Sequence, residues 1–160
     1  ATLGCYTFSS IGKRHRRLKY GAKNVIHIGA GHSDCEPEET AFLRKRGVEC
    51  ISMNEMQAQG MGHTITTLER HIARADDIVV TLDLDMIRND YAPGVSFQSQ
   101  RGALPSQVML IAGAIAESKK LRQLEIMEYN PDFEVWDKCG NPLTAHLSLC
   151  LIGAFLGVNT

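Results

Sequence analysis

The stretch Asp77-Ile-Val-Val-Thr-Leu-Asp-Leu-Asp-Met86 limits what this chain can fold into more than any other. Ile78, Val79, Val80 and Leu82 form a β-branched and aliphatic run of strand length, as expected of a strand buried on both faces. Asp83 and Asp85 stand at its carboxyl end. Side chains two apart on a strand share a side, so the two carboxylates are expected to converge there. Ionised carboxylates in apolar surroundings are costly unless paired or bound to a cation. Hard oxygen donors suit Mg, Ca or Mn. The alternative use of such a pair is an exposed one, capping the following loop or helix. Pro93-Gly94 places a sharp turn one short loop later. Loops at the carboxyl ends of parallel strands are where open α/β sheets put their ligands.

Around this strand the pattern alternates. Asn24–Ile28 reads as a strand, and Gly29-Ala30-Gly31 as a tight turn out of it; the third glycine of a dinucleotide fingerprint is absent. His27 falls inside that strand as a core histidine, while His32 and Asp34 stand in the loop beyond. Pro37 opens a helix that runs to Arg46 and stops at Gly47. Val48–Met53 is a strand, and Thr64–Arg74 a helix with Ile65, Leu68 and Ile72 on its apolar face. Pro105–Ala116 predicts a helix that turns Val108, Ile111, Ala112 and Ile115 inward. Leu121–Asn130 predicts a strand that delivers Glu128 just before Asn130-Pro131. The last helix, Leu143–Leu156, is apolar nearly all round and should be buried or covered by a partner. Residues 1–22 carry no legible element. Strand and helix in alternation mean one α/β domain over residues 1–160 with a mainly parallel sheet. Four strands are few for such a sheet, so a part of a larger domain is expected, with an exposed edge that invites pairing with another chain. A homo-oligomer is the expected partner state.

Composition narrows the function classes. A net charge of −1 gives no reason to expect a nucleic-acid partner. Lys13, Arg14, Arg16, Arg17 and Lys19 form one basic run, either a phosphate patch or, as the charge balance favours, a solvated helix face. No apolar run reaches transmembrane length, and no signal-peptide core is visible at the N-terminus. The five cysteines, Cys5, Cys35, Cys50, Cys139 and Cys150, lack CxxC spacing. That argues against a disulfide scaffold or zinc ribbon and for a reducing, cytoplasmic setting. The chain opens on Ala1 rather than methionine, so a fragment or a processed product is expected.

Thr81-Leu-Asp-Leu-Asp85, Ala92-Pro-Gly94, Glu128-Tyr-Asn-Pro131 and Thr144-Ala145, in that order, resemble the ureohydrolase superfamily of arginases, agmatinases and formimidoylglutamases. The resemblance extends from about Asn24 to Gly157. The wording Glu-Tyr-Asn-Pro and Ala-Pro-Gly-Val-Ser is most similar to formimidoylglutamase. The resemblance implies a three-layer α/β/α fold, here lacking the N-terminal strands, and a two-manganese centre that activates a bridging hydroxide. It places Asp83 and Asp85 as metal ligands and Glu128 as the carboxylate that orients the substrate's amidine or guanidine group. It also sets Asp34 near a loop acid that contacts the substrate's amino-acid end.

Three departures qualify what is implied. Arg88-Asn89 stand where the family has Asp-Pro, which bears on the loop's shape. Gln100-Arg-Gly-Ala103 replaces a glycine pair near the substrate pocket. The family's other ligand motifs, Gly-Gly-Asp-His and Asp-Ala-His-X-Asp, are not found. The implied activity is manganese-dependent hydrolysis of a linear C–N bond, first in formimidoylglutamate, giving glutamate and formamide, and next in arginine or agmatine. Two carboxylates alone should bind Mn²⁺ weakly, leave the chain inactive by itself, and leave the loop Ile87–Gly102 mobile. A scaffold that kept the fold and lost the metal centre is the non-enzymatic alternative. A haloacid-dehalogenase-type phosphatase fits poorly, because Ile87 stands where that family has Thr or Val. A nucleotide-sugar transferase lacks its nucleotide-binding context.

Overall fold

The computed structural model describes residues 2–3, 24–30 and 37–158. Five strands form one sheet: β1 (Thr2–Leu3), β2 (Ile26–Ala30), β3 (Glu49–Ser52), β4 (Ile78–Asp83) and β5 (Leu121–Met127). Their spatial order is β3-β2-β1-β4-β5, and every pairing is parallel. Parallel neighbours need crossovers, and the described ones are helical: α1 (Pro37–Lys45), α2 (Met53–Arg74) and α3 (Pro105–Ser118), with α4 (Leu143–Phe155) closing the chain. The winding runs outward from β1 to β3 and in the opposite direction from β4 to β5. Right-handed crossovers therefore put α1 on one face and α2 and α3 on the other. Accordingly α1 packs on β3, while α3 lies between α2 and α4.

The strands expected at 24–28, 48–53 and from Ile78 to the acids all form, within two residues of their limits, and the one expected over Leu121–Asn130 ends three residues early, at Met127. The strand Thr2–Leu3 was not expected; it sits mid-sheet, between β2 and β4. Gly29 does not turn the chain out of β2. It lies inside the strand as a bulge, with φ 89° and a register shift against β3 between Ile28 and Ala30. Gly31, His32, Asp34 and the basic run fall outside the described residues.

The core is the apolar face of the sheet under α2–α4. Val108, Ile111, Ala112 and Ile115 are fully buried on α3, as their spacing predicts, against Val80 and Leu82 of β4 and Leu151 and Phe155 of α4. α1 ends as its sequence predicts. Gly47 takes φ 83°, and Val48 N–H closes back on the Leu43 carbonyl at 3.1 Å. The expectation for α4 holds on one side only: Thr144, Leu151 and Phe155 are buried, but Leu149 is 68% exposed.

α2 is longer than its periodicity predicts. It begins at Met53, where the Ser52 hydroxyl accepts from Glu55 N–H and the Glu55 carboxylate accepts from Ser52 N–H. This is a capping box. The helix breaks once, at Gly60, with φ 77° and ψ 167°. No helix among the described residues is long and apolar enough to cross a membrane.

Candidate active site

Winding reverses between β1 and β4, and open α/β sheets bind their ligands outside the carboxyl ends of the strands at such a point. Asp83 is the last residue of β4. It pairs in register with Met127, the last residue of β5, so Glu128 follows at the same edge one strand away. The two acids expected to share an end of the sheet therefore do so.

The local geometry of the acid pair differs from simple alternation. Asp85 lies outside the strand, in a 3-10 turn over Leu84–Met86, and its N–H donates to Asp83 Oδ1 at 2.9 Å. The Asp83 carboxylate thus caps the turn that carries Asp85, an Asx arrangement open to any aspartate two residues upstream. Leu82, Leu84, Met86 and Ile87 surround the pair with buried apolar groups, and Asp83 and Asp85 are themselves 3% and 9% exposed. Of the alternative use, the exposure is not found, but the capping is: Asp83 caps the turn that follows.

Two glycines let other segments close on this turn. A Cβ on Gly102 would stand 2.5 Å from the Met86 carbonyl oxygen and 2.7 Å from Arg88 N. The position that departs from the family's glycine pair is thus one where backbone lies on backbone. Ala103 N–H donates to the Met86 carbonyl (2.7 Å) and Arg88 N–H to the Ala103 carbonyl (3.1 Å). From the other side, a Cβ on Gly29 would meet Met86 Cε at 2.6 Å.

The loop Ile87–Gly102, expected to be mobile, is tied down along its length. Asn89 N–H donates to the Ser99 carbonyl, Asn130 N–H to the Gly94 carbonyl, and Gly94 N–H to Thr144 Oγ1 at 2.7 Å. The reason is that the loop's own backbone polar groups are satisfied locally, so its order does not depend on the acid pair. Arg88, standing where the family has aspartate, forms a two-pronged ion pair with Asp90 at 3.1 and 2.6 Å, on the exposed side of the loop. Pro93-Gly94 does make a sharp turn, closed by Val95 N–H on the Pro93 carbonyl at 2.9 Å. Gly94 is required for space rather than for its φ. A Cβ there would stand 2.9 Å from Thr144 Oγ1 and 3.2 Å from Glu134 Cδ.

Glu128 is exposed and adopts φ 68°, in the left-handed region where a residue with a Cβ is strained. Sequence reasoning placed Glu128 but missed Glu134. The Glu134 carboxylate accepts from Thr144 N–H, Ala145 N–H and Val135 N–H, each at 3.0 Å. Burial pushes this carboxyl up, and the N–H donors outweigh burial and hold it below the usual carboxylate range. Pro142, the residue before α4, has no side-chain cap to offer. An acid ten residues upstream takes that role, and no local signal announces it.

His27 is 2% exposed in the sheet, and burial lowers its pKa to about 4, so it is neutral near pH 7. Cys139 and Cys150 are free thiols. A groove of about 270 Å³ lined by Lys119, Leu121, Arg122 and Phe155 lies at the amino end of β5, away from the acids.

The profile of the arginase family matches residues 10–153. The chain belongs to the arginase family. It is similar to a formimidoylglutamase from Ralstonia nicotianae, 31% identical over 99 residues, which cover 61% of this chain and 30% of that protein. An arginase from Plasmodium falciparum is 27% identical over 110 residues, 68% of this chain and 27% of the relative. Among solved structures, the formimidoylglutamase of Bacillus subtilis subsp. subtilis str. 168 superposes with a TM-score of 0.84 over 98% of this chain and 51% of its own, at 16% identity. That likeness establishes the arginase-like α/β fold. The matched stretches span about half or less of these relatives' length.

The donor chemistry of the acid pair fits a hard divalent cation. Two carboxylates, both buried at the end of an apolar strand, offer the hard oxygen donors that such a cation takes. They fit as a partial ligand set, because no group of three His, Cys, Asp or Glu able to hold a metal occurs among the described residues.

Proposed function

We propose that this chain carries the substrate-facing half of a manganese-dependent hydrolase that cleaves a linear C–N bond in an amidine or guanidine. The observation that supports the reading is the placement of Asp83, Asp85 and Glu128 at one edge of the sheet, at or just past the carboxyl ends of two adjacent parallel strands, beside the reversal point. Asp83 and Asp85 would hold Mn²⁺. Bound there, the ion supplies a water acidified to near-neutral pKa and a Lewis acid toward the substrate. Glu128, exposed and one strand away, presents an acceptor to the cationic N–H groups of an amidine or guanidine. A carboxylate binds such a planar cation through paired charge-assisted hydrogen bonds, which fix its orientation. Formimidoylglutamate ranks first as substrate, on the Glu128-Tyr-Asn-Pro131 wording and the similarity to the R. nicotianae protein. Arginine and agmatine rank next.

Two carboxylates do not complete the octahedral donor set Mn²⁺ prefers. The 160 residues taken alone are therefore expected to bind Mn²⁺ weakly and to turn over none of the three substrates. Calorimetric titration with Mn²⁺ tests the ligands: Asp83→Asn and Asp85→Asn should each abolish the residual binding, and unchanged binding in either variant removes that residue from the site. Tight uptake of two ions, or turnover by the 160 residues unaided, would show that the ligand assignment is wrong. For the full-length protein with Mn²⁺, formamide release from formimidoylglutamate is the expected outcome. Urea release from arginine without it would reverse the ranking, and no turnover of any of the three would favour the scaffold.

A further inference from the structure

Thr144-Ala145 belongs to the motif set, yet the reading above gives it no task. Thr144 sits at the crossing of two chains of hydrogen bonds. Fully buried, it accepts from Gly94 N–H at 2.7 Å through Oγ1, and its own N–H donates to the Glu134 carboxylate at 3.0 Å. Gly94 in turn accepts from Asn130 N–H at 2.8 Å, Asn130 Nδ2 donates to Ser96 Oγ at 2.9 Å, and Tyr129 bridges Val95 in antiparallel register. Tyr129 and Asn130 are the two residues that follow Glu128. Glu134 closes the circuit: it caps α4 through Thr144 and Ala145, and its carboxylate helps to raise the pKa of the Tyr129 phenol.

We infer that Thr144 and Glu134 are positioning residues: together they lock the Gly94–Ser96 loop to the Tyr129–Asn130 segment and so hold Glu128 in its left-handed conformation. The strain at Glu128 has to be sustained by surroundings that over-determine it. On one side of Glu128, Met127 is fixed in the sheet opposite Asp83; on the other, every bond the following segment makes to the loop goes to Gly94 through Ser96. The inference rests on the proposed role of Glu128 for its functional meaning, but its geometry stands apart from any turnover.

The test is amide exchange and the Cα chemical shift of Glu128, followed by nuclear magnetic resonance on the whole chain in Thr144→Val, Thr144→Ser and Glu134→Gln. Thr144→Val removes the hydroxyl at nearly constant volume. Exchange at Gly94 and Asn130 should quicken about tenfold, the scale of one lost hydrogen bond, and the Glu128 shift should move off its left-handed value. Thr144→Ser keeps the hydroxyl and should restore both, a rescue that packing alone does not give. Glu134→Gln should lower the titration of the Tyr129 phenol, which burial and the Glu134 carboxylate hold above its ordinary value. Should Thr144→Val fail to fold, Glu134→Gln carries the same exchange and shift measurements. An unmoved Glu128 signal in Thr144→Val, or in Glu134→Gln where the first variant does not fold, overturns the inference. Loss of the signal with no amidine hydrolysis by the full-length protein would leave the clamp standing and the functional reading fallen.

Discussion

Asp83 and Asp85 sit in an apolar frame, almost wholly buried, whereas Glu128, one strand over, is exposed on a strained backbone. The first pair is located by shape: backbone lies on backbone at Gly102, and a methionine fills the space left by Gly29. The second is located by polarity, through Thr144, Glu134 and the segment after it. The difference matches what the proposed function asks of each group. A cation's ligands need fixed spacing and exclusion of water, while an acid that meets a small polar substrate needs access and a defined direction.

If shape alone holds the acid pair, Gly102→Ala should be the most damaging change in the site. The new Cβ meets backbone atoms that have nowhere to move, and a loss of about 3 kcal/mol or more is expected. Urea unfolding measures it, and a loss below 1 kcal/mol would show that the turn is held by something else.

The apolar side also contains His27, whose acid response has a definite sign. Its folded pKa of about 4 lies below the ordinary 6.5, so the unfolded chain binds the proton more readily. Stability from this residue is full above pH 6.5, falls as pH drops through the window to 4, and is worth about 3 kcal/mol in all. Glu134 works in a lower window: its carboxyl is depressed, so its contribution is full above the unfolded value of 4.5 and is lost as pH falls through its folded pKa. Between pH 7 and 5 the Glu134 contribution is constant, so unfolding titrations there separate the two residues. A His27→Gln variant with an unchanged slope there would remove the histidine from the account.

On the polar side, Glu128→Gly should gain about 1 kcal/mol by relieving the left-handed backbone, while removing the acid proposed to meet substrate. A destabilised glycine variant would mean that the Glu128 side chain supports the fold and that the strain is not the native feature. The smallest effect is expected at Arg88→Ala. Its ion pair with Asp90 is open to solvent, so a change below about 0.5 kcal/mol is expected. A larger one would mean the loop is held from its outer face as well.

Elements with a strong local period were legible in the sequence. The inward residues of α3 and Ile78, Val80 and Leu82 of β4 needed no more than alternation and helical spacing, because their partners are simply the core; Val79, expected to be buried on the other face, is 46% exposed. The start of α2 was not legible: Ser52 serves at once as the last residue of β3 and the cap of the helix, and the following Gln57-Ala-Gln-Gly-Met-Gly62 has no apolar stripe. The pattern Ser52-Met-Asn-Glu55 was the one available signal. At the site, the residue types and order placed Asp83 and Glu128 on one edge. Neither could reveal that Asp85 leaves the strand, that Gly94 is there for space, or that Glu134 caps a helix ten residues on. Those are facts of contact between segments distant in sequence, and Asp34 lies outside the described residues.

The break at Gly60 settles a question of lengths. From β3 the chain must pass β2 and β1 to reach β4, three strand spacings or about 14 Å sideways. It must also return along the sheet so that β4 can run parallel to β3. An unbroken helix of 22 residues would be a rod of about 33 Å, against about 20 Å for the six-residue strand it feeds. Divided at Gly60, the second rod, Met61–Arg74, measures about 21 Å, the length of β4 itself. The first, shorter rod is then free to take its own heading and cover the sideways distance. One residue with a left-handed backbone thus sets how far along the sheet β4 begins, and with it the height at which Asp83 emerges at the other end.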